Sequence, residues 1–241
     1  MPSVTEIVSA VIPCLDEEDA IGAVVSAVLA QGVAEVVVVD GASRDRTAER
    51  AAAAGARVVV EPRRGYGRAV QAGLAVMRQD ASIVVFLDGD GSDPAEFIPA
   101  LIAPIAAGEA AFVSGSRTRG KRDSGSLSPP QIAAGVVGGW LLRVVYGARF
   151  SDLSPFRAIR RDALRQLGMR DTTYGWNLEM LMRVAAAGLP AVEIPVGQRC
   201  RIGGVSKVSG NLVASIKAAA VLAITFVRLA LSLRRERRHE A

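Results

Sequence analysis

The chain has 241 residues, of which 50% are hydrophobic and 22% charged, a balance expected of a folded protein with a sizeable core. The formal net charge of +5 suits an anionic partner. Aromatic residues make up only 5% of the chain, and no basic run is interleaved with stacking rings, which argues against nucleic-acid binding. The one histidine, His239, lies in a charged tail, so a Ser-His-Asp or Cys-His mechanism is excluded.

The two cysteines, Cys14 and Cys200, are far apart and lack the spacing of a zinc or redox site. We therefore expect both to be buried small hydrophobes in a reducing compartment. Residues 1–6 lack a basic region followed by an apolar stretch, so no signal peptide is predicted and a cytoplasmic location is expected.

The first part of the chain alternates apolar runs with segments of helical spacing. We predict strands over residues 7–13, 35–39, 57–61 and 83–87, and helices over 20–31, 47–54 and 68–77. Such alternation is typical of a doubly wound, mostly parallel α/β sheet, whose ligands gather at the carboxyl ends of the strands.

Polar clusters follow each predicted strand, at residues 16–19, 40–45, 64–68 and 88–93. Any one of them alone is better explained as a solvated loop or a helix cap. Their coincidence on one rim of the sheet indicates a binding site. The helix start after Gly65, with Arg64 and Arg68 beside it, predicts a diphosphate contact.

The strongest local signal is the pair Asp88 and Asp90, which follows an unbroken apolar run. Gly89 and Gly91 loosen the backbone here, so that one cation could meet both carboxylates. Two anions held this close repel each other unless a cation neutralises them. The alternative is an ordinary turn, since Asp-Gly pairs punctuate many loops.

The second half is less regular. We predict helices over residues 96–107, 131–150, 176–187 and one ending at 167, strands over 110–114 and 190–195, a mobile loop over 118–130 that covers the site, and a basic loop over 199–207. Asp152 is the best-placed general base if the acceptor is a hydroxyl, or else a turn residue. Glu179, on an apolar helical stretch, is expected to pair with a buried arginine or to belong to the acceptor site.

Residues 208–233 predict an amphipathic helix. Its longest charge-free core lies between Lys217 and Arg228 and is too short to span a bilayer. These two cations share one narrow stripe, which leaves a broad apolar face suited to an anionic membrane interface. The alternative is packing on the protein core or on a partner chain.

Seven segments in order resemble family 2 glycosyltransferases of the GT-A fold, and among them the dolichyl-phosphate mannose synthase type of polyprenyl-phosphate glycosyltransferase. They are residues 12–18, 39–47, 65–73, 88–90, 115–117, 152–157 and 201–207. Two departures stand out: Pro155 replaces a glycine usual in relatives, and Gly138-Gly139 replaces a usual Gly-Asn. Both concern the acceptor more than the donor.

The resemblance implies a set of site residues. Asp88 and Asp90 would hold Mg²⁺ or Mn²⁺, and Asp90, Asp152 and Arg201 would act in catalysis. The nucleotide-sugar would be bound by Pro13, Leu15, Glu17, Asp40, Ser43, Gly67, Arg68, Asp88, Gly89, Asp90, Arg117, Arg201, Ser206 and Lys207.

The implied activity is metal-dependent transfer of a sugar, with inversion, from a UDP- or GDP-sugar to a polyprenyl phosphate. Alternatives are a glycosyltransferase acting on a soluble hydroxyl acceptor and a sugar nucleotidyltransferase. We expect a glycosyltransferase domain over residues 1–207 and an amphipathic, membrane-interfacial segment over 208–241 on the inner face of the cell membrane, with homo-oligomer formation left open.

Overall fold

The computed structural model describes residues 6–203 and 223–236. In this part of the chain seven strands form one sheet: β1 Val8–Cys14, β2 Glu35–Asp40, β3 Arg57–Val60, β4 Ile83–Phe86, β5 Phe112–Ser116, β6 Arg157–Arg160 and β7 Ala191–Pro195. Their order across the sheet is β3-β2-β1-β4-β6-β5-β7. Only β6 runs antiparallel to its neighbours, β4 and β5. The predicted mostly parallel sheet is confirmed.

Helices cover both faces of this sheet, as predicted. They are α1 Ile21–Leu29, α2 Thr47–Ala53, α3 Tyr66–Val76, α4 Ile98–Ala106, α5 Pro129–Tyr146, α6 Arg161–Leu167 and α7 Trp176–Ala186, and residues 223–236 are also helical. A single 3₁₀ turn, Ala95–Phe97, precedes α4.

The core lies on both sides of the sheet because side chains alternate along each strand. In β4, Val84 and Phe86 face one cluster and Ile83 and Val85 face the other. The first cluster includes side chains of α3, α5, α6, α7 and residues 223–236, and the second includes those of α1, α2 and α4. Such two-sided burial explains why β4 is an unbroken apolar run.

Helix α5 begins and ends earlier than the predicted span of 131–150. Ser128 and Gln131 form a capping box at its start, and prolines occupy its first turn. Proline suits this position because the first helical N–H groups have no partner within the helix. The helix ends at Gly147, which has a φ of 72° that glycine adopts without strain.

The glycines of α5 allow it to approach the segment 150–153. Gly135, Gly138 and Gly139 are all buried. A Cβ added at Gly139 would overlap the carbonyl oxygen of Phe150, and one at Gly138 would crowd Leu153. The Gly138-Gly139 pair is therefore a packing feature of this chain.

One face of the helix at residues 223–236 packs on the protein core, as one of the two alternatives for this segment had it, and the expected membrane contact stays a prediction. Phe226, Leu229 and Leu233 are buried in the same cluster as Phe86. Arg228 forms an ion pair with the buried Asp171 at 2.6 Å. Residues 204–222, which hold the expected domain boundary at 207/208 and Lys217, lie outside the described part of the chain. Among the described helices, none has the length and apolar character needed to cross a bilayer.

We predict opposite effects of adding one methyl group at two helical glycines. Gly139→Ala should lower the free energy of unfolding by about 1–3 kcal/mol, because the backbone of residue 150 cannot yield easily. Gly22→Ala in α1, whose added Cβ would lie 3.8 Å from the nearest atom, should raise it by up to about 1 kcal/mol through helix propensity. Urea unfolding of both variants would test this, and equal effects would contradict the packing described for α5.

Candidate active site

The carboxyl ends of β1, β2 and β4 border a cavity of ≈ 710 Å³. Pro13 and Leu15 line it from the end of β1, Gly41 from the end of β2, and Asp88 and Asp90 from the loop after β4. This is the rim at which a doubly wound sheet binds its ligands.

Three carboxylates crowd the loop after β4. An oxygen of Asp93 accepts the backbone N–H of Asp88 at 3.0 Å, and Asp90 accepts that of Ser92 at 2.9 Å. Tyr66 donates its hydroxyl to Asp88 at 3.3 Å. The second carboxylate oxygen of Asp93 is buried without a hydrogen-bond partner.

Burial and crowding both change the pKa values of two of these carboxylates. Burial, together with the Asp93 and Asp90 charges, raises the pKa of Asp88 well above its ordinary value. Burial is also the main reason that the pKa of Asp93 rises to about 7, with Asp90 adding to it. Burial and the neighbouring charges therefore disfavour the ionised forms of Asp88 and Asp93 unless a cation lies close to them.

A divalent cation fits this arrangement. Hard cations such as Mg²⁺ and Mn²⁺ take carboxylate and phosphate oxygens as ligands, and Asp88 and Asp90 offer the former at the cavity floor. Across residues 6–203 and 223–236, no three Asp, Glu, His or Cys side chains converge as a ready-made metal cluster. The remaining ligands would have to come from a bound diphosphate and from water.

The basic segment 199–203 lies directly beside this loop. Its backbone is tied there by two hydrogen bonds of 2.9 Å, from Arg199 to the carbonyl of Ser92 and from Ile202 to that of Asp90. Arg201 donates to both carboxylate oxygens of Glu17, at 2.7 and 2.9 Å, and lies 3.9 Å from Asp90. The structure thus brings together Glu17, Asp90 and Arg201, which are far apart in sequence.

Arg117 also lines the cavity, but its side chain is bound to Asp152. The Nε and Nη2 atoms and the backbone N–H of Arg117 all donate to this carboxylate, at 2.8–2.9 Å. Asp152 is only 1% exposed and lies outside the cavity lining. Although burial alone would raise the pKa of Asp152, the Arg117 contacts keep it below its ordinary value. In this geometry Asp152 positions Arg117, and its expected role as a general base stays a prediction.

Asp40 and Ser43 brace the turn behind the cavity, which differs from the direct nucleoside contact expected of them. The Ser43 hydroxyl donates to Asp40 and accepts the N–H of Asp16 at 2.8 Å. Neither Asp40 nor Ser43 lines the cavity. Their hydrogen bonds join the ends of β1 and β2 and fix the backbone that carries Glu17.

Backbone N–H groups at the start of α3 are likewise hydrogen-bonded within the protein. The N–H groups of Gly67 and Arg68 donate to the carbonyls of Thr173 and Thr172, both at 3.1 Å. A Cβ at Gly67 would overlap the carbonyl of Asp171, so glycine is needed for this close approach. Two of the N–H groups at this helix start are therefore already used, whereas Arg64 and Gly65 line the cavity, so the diphosphate contact stays a prediction.

Of the two roles expected for Glu179, the structure shows the pairing with a buried arginine. Glu179 is 1% exposed, accepts the N–H groups of Arg170 and Asp171, and pairs with Arg183 at 2.8 Å. It therefore anchors the segment before α7 and lies away from the cavity lining.

The turn that contains Pro155 is buried beneath the site. Arg157 is fully buried and donates to the carbonyls of Ser154 and Asn177. Burial lowers its pKa to about 10. Residues 154–157 do not line the cavity, and the expected effect of Pro155 on the acceptor stays a prediction.

The two cysteines differ in their exposure to solvent. Cys14 is buried as expected, and burial is the main cause that raises the pKa of its thiol well above its ordinary value. Cys200 is exposed and lines the cavity, so the expectation of a buried side chain was wrong for it. It belongs to a loop that folds back on the site through the N–H of Cys200 and the carboxylate of Asp123.

Of the predicted residues, those that line the cavity are Pro13, Leu15, Glu17, Asp88, Gly89, Asp90, Arg117 and Arg201. Ser206 and Lys207 lie outside the described residues. Lining residues that sequence reasoning missed include Tyr66, Leu127, Ser128, Gln131, Tyr174 and Gln198. Leu127 and Ser128 belong to the segment 118–130 that was expected to cover the site, and Tyr66 lies within the Gly65–Gly67 motif. The approach of Gln131, in the first turn of α5, and of Tyr174 and Gln198 has no local sequence signal.

Comparison with known proteins identifies the family. The sequence model described as glycosyl transferase family 2 matches residues 9–168. The chain belongs to glycosyl transferase family 2. The chain is therefore a glycosyltransferase.

Named relatives extend this match. An uncharacterized glycosyltransferase of Mycobacterium tuberculosis (strain H37Rv) is 44% identical over 87% of this chain and 93% of its own length. A dolichyl-phosphate hexose transferase of Haloferax volcanii is 37% identical over 78% of this chain and 81% of its own length.

A solved structure with the same GT-A fold is that of glucosyl-3-phosphoglycerate synthase from Mycobacterium tuberculosis in complex with Mn²⁺, UDP-glucose and phosphoglyceric acid. It matches with a TM-score of 0.73 and 25% identity, over 93% of this chain and 79% of that chain.

We predict that Asp152→Asn destabilises the fold by about 3 kcal/mol near pH 7, because it leaves the Arg117 guanidinium buried without its counter-charge. Since the native pKa of Asp152 lies below its unfolded value, the stability that the carboxylate contributes is present above the unfolded pKa. It is lost as the pH falls through the native pKa, so the variant and the wild type should converge in acid. Thermal unfolding from pH 3 to pH 8 measures this.

Asp162→Asn, at an exposed position on α6, is the matched control and should change stability little. An Asp152→Asn protein as stable as wild type, yet without turnover, would instead support a chemical role for this carboxylate.

Proposed function

We propose that this glycosyltransferase uses Mg²⁺ or Mn²⁺ to transfer a sugar from a UDP-sugar to a polyprenyl phosphate, with inversion at the anomeric carbon. The observation that carries the proposal is the placement of Asp90 3.9 Å from Arg201 in a cavity that also contains Asp88. Carboxylates for a cation and a guanidinium for phosphate oxygens therefore lie side by side in the same cavity. A nucleoside diphosphate has the charge to occupy it.

Asp88 and Asp90 are the residues that would hold the cation. The cation, when bound, stabilises the negative charge that grows on the departing diphosphate. Arg201 supplies the opposing cation from the protein, and its fork suits bidentate contact with phosphate oxygens. In the structure it is bound to Glu17, so donor binding exchanges a carboxylate partner for a phosphate. Ser206 and Lys207 are proposed to extend this basic side.

The nucleoside is proposed to lie at the ends of β1 and β2. Pro13, Leu15 and Glu17 line the cavity there, and Asp40 and Ser43 act indirectly by fixing that turn. The choice of UDP is supported by the glucosyl-3-phosphoglycerate synthase structure, which contains UDP-glucose.

The acceptor is proposed to be a lipid phosphate. The dolichyl-phosphate hexose transferase of Haloferax volcanii supports this choice. A phosphate oxygen is already ionised near neutral pH and needs no general base. A reaction without a general base agrees with a site in which the Asp152 carboxylate is bound by Arg117.

A soluble phosphorylated acceptor is the second candidate, because the solved glucosyl-3-phosphoglycerate synthase was crystallised with phosphoglyceric acid. The two acceptors share a phosphoryl group, and Arg63 and Arg64 line the cavity in either case. They differ in the nucleophile, which is a phosphate oxygen in the lipid phosphate and a hydroxyl in the soluble acceptor, and in the isoprenoid chain that only the lipid carries.

We predict that the full chain, given UDP-hexose, Mn²⁺ and a short water-soluble polyprenyl phosphate, releases UDP and forms a hexosyl lipid phosphate. Asp90→Asn should reduce turnover by a factor of about 100 or more, because the leaving diphosphate loses a ligand of its cation. Asp80→Asn, which removes an exposed carboxylate outside the cavity lining, is the control. Chromatography of the products, with 3-phosphoglycerate as the competing acceptor, measures both turnover and choice.

Transfer to 3-phosphoglycerate alone would replace the lipid acceptor with the soluble one. Absence of transfer from every UDP- and GDP-hexose, or full activity of Asp90→Asn, would contradict the proposed function itself.

A further inference from the structure

The outward face of α5 is apolar along its length. Val136, Val137, Trp140, Val144 and Val145 are 40–62% exposed. Positions 136, 140 and 144 follow one another at helical spacing and form one stripe about 12 Å long. A tryptophan in the middle of such a stripe is costly to leave in water.

The charges around this stripe have one sign. Helix α5 contains no acidic residue, and its one charged side chain, Arg143, is exposed, as is Arg149 just beyond the helix. In the neighbouring helix at residues 223–236 the one acid, Glu236, pairs with Arg183 at 2.9 Å. Arg234 and Arg235 of the same helix are exposed.

The two helices are neighbours. The rings of Tyr146 in α5 and Phe226 in the second helix lie 6.5 Å apart. While Phe226 packs inward, Ile224, Val227 and Leu231 are 50–68% exposed. The second helix therefore adds three apolar side chains to the five on α5, each set flanked by arginines.

The first turn of α5 belongs to the wall of the cavity. Ser128 and Gln131, which cap the helix, line the cavity together with Leu127. The apolar stripe therefore begins beside the cavity and runs away from it. A surface that covered the stripe would lie next to the part of the cavity where an acceptor enters.

We propose that the outward face of α5, extended by residues 224, 227 and 231, docks this enzyme on an anionic phospholipid surface. Apolar side chains with a central tryptophan would enter the interface, and the flanking arginines would meet lipid phosphates. A second copy of the chain is the less suitable occupant, since eight apolar residues fall short of the ~20–30 per side of a stable protein interface. This docking surface rests on the proposed function, because an acceptor held in a membrane is the reason for a lipid surface beside the cavity.

The test uses the full chain and vesicles, without donor or acceptor, so its outcome is independent of turnover. Of the two tryptophans, Trp140 is 60% exposed and Trp176 is 1% exposed. Vesicles of phosphatidylcholine with phosphatidylglycerol, carrying bromine on their acyl chains, should bind the protein, shift its emission to the blue and quench it. Trp140→Phe should retain binding and lose the quenching. Vesicles of phosphatidylcholine alone should bind more weakly.

The double variant Val136→Glu, Val144→Glu should partition at least about tenfold more weakly, because it places carboxylates against anionic headgroups. Ala52→Glu, on the exposed side of α2 across the sheet, is the matched control and should bind as wild type. Circular dichroism of all variants checks that they fold.

Three results would overturn the proposal: no vesicle binding, binding without quenching of Trp140, or Trp140 already shielded from acrylamide in vesicle-free solution. In the last case sedimentation would tell a dimer from coverage by another segment of the chain. Vesicle binding by a protein that transfers no sugar would support the docking surface and contradict the proposed function. Sugar transfer by a protein that binds no vesicles would support the proposed function and contradict the docking surface.

Discussion

The rest of this structure depends on three carboxylates that lie close together at the end of a buried strand. Asp88, Asp90 and Asp93 lie within six residues, and burial raises the pKa of Asp88 and Asp93. Such a cluster costs stability unless positive charge faces it. The fold holds it because β4 is buried on both faces and the loop that follows is tied by its own backbone, from Asp88 to Asp93 and from Ser92 to Asp90.

Positive charge reaches this cluster from two directions. Arg201 comes from a late loop whose backbone is bonded to that of residues 90 and 92. Arg117 comes from the end of β5 and is held in place by the buried Asp152. Each guanidinium already has a carboxylate partner: the buried Asp152 preorganises Arg117, whereas Arg201 exchanges Glu17 for a phosphate when the proposed donor binds. Preorganised charges cost less reorganisation when charge develops on a leaving group.

The sequence was informative where the signal was local. Alternating apolar runs predicted the sheet, and the Asp88–Asp90 pair follows directly from its strand. Roles that depend on distant neighbours were not predictable: the N–H groups at the start of α3 are used by Thr172 and Thr173, and Cys200 is exposed on a loop. The late helix shows the same limit, because its periodicity fits a membrane or a core equally well. Only the tertiary contacts show that Phe226 and Leu229 face the core while Ile224 stays exposed.

We propose that the Asp88–Asp90 pair and a diphosphate bind one cation together. Electron paramagnetic resonance of free Mn²⁺, titrated with the full chain in the presence and absence of UDP, measures this most directly. The account predicts that UDP tightens Mn²⁺ binding by about tenfold or more, that Mn²⁺ tightens UDP binding by the same factor, and that Asp88→Asn removes the coupling. Mn²⁺ affinity that is indifferent both to UDP and to loss of the Asp88 carboxylate would contradict it.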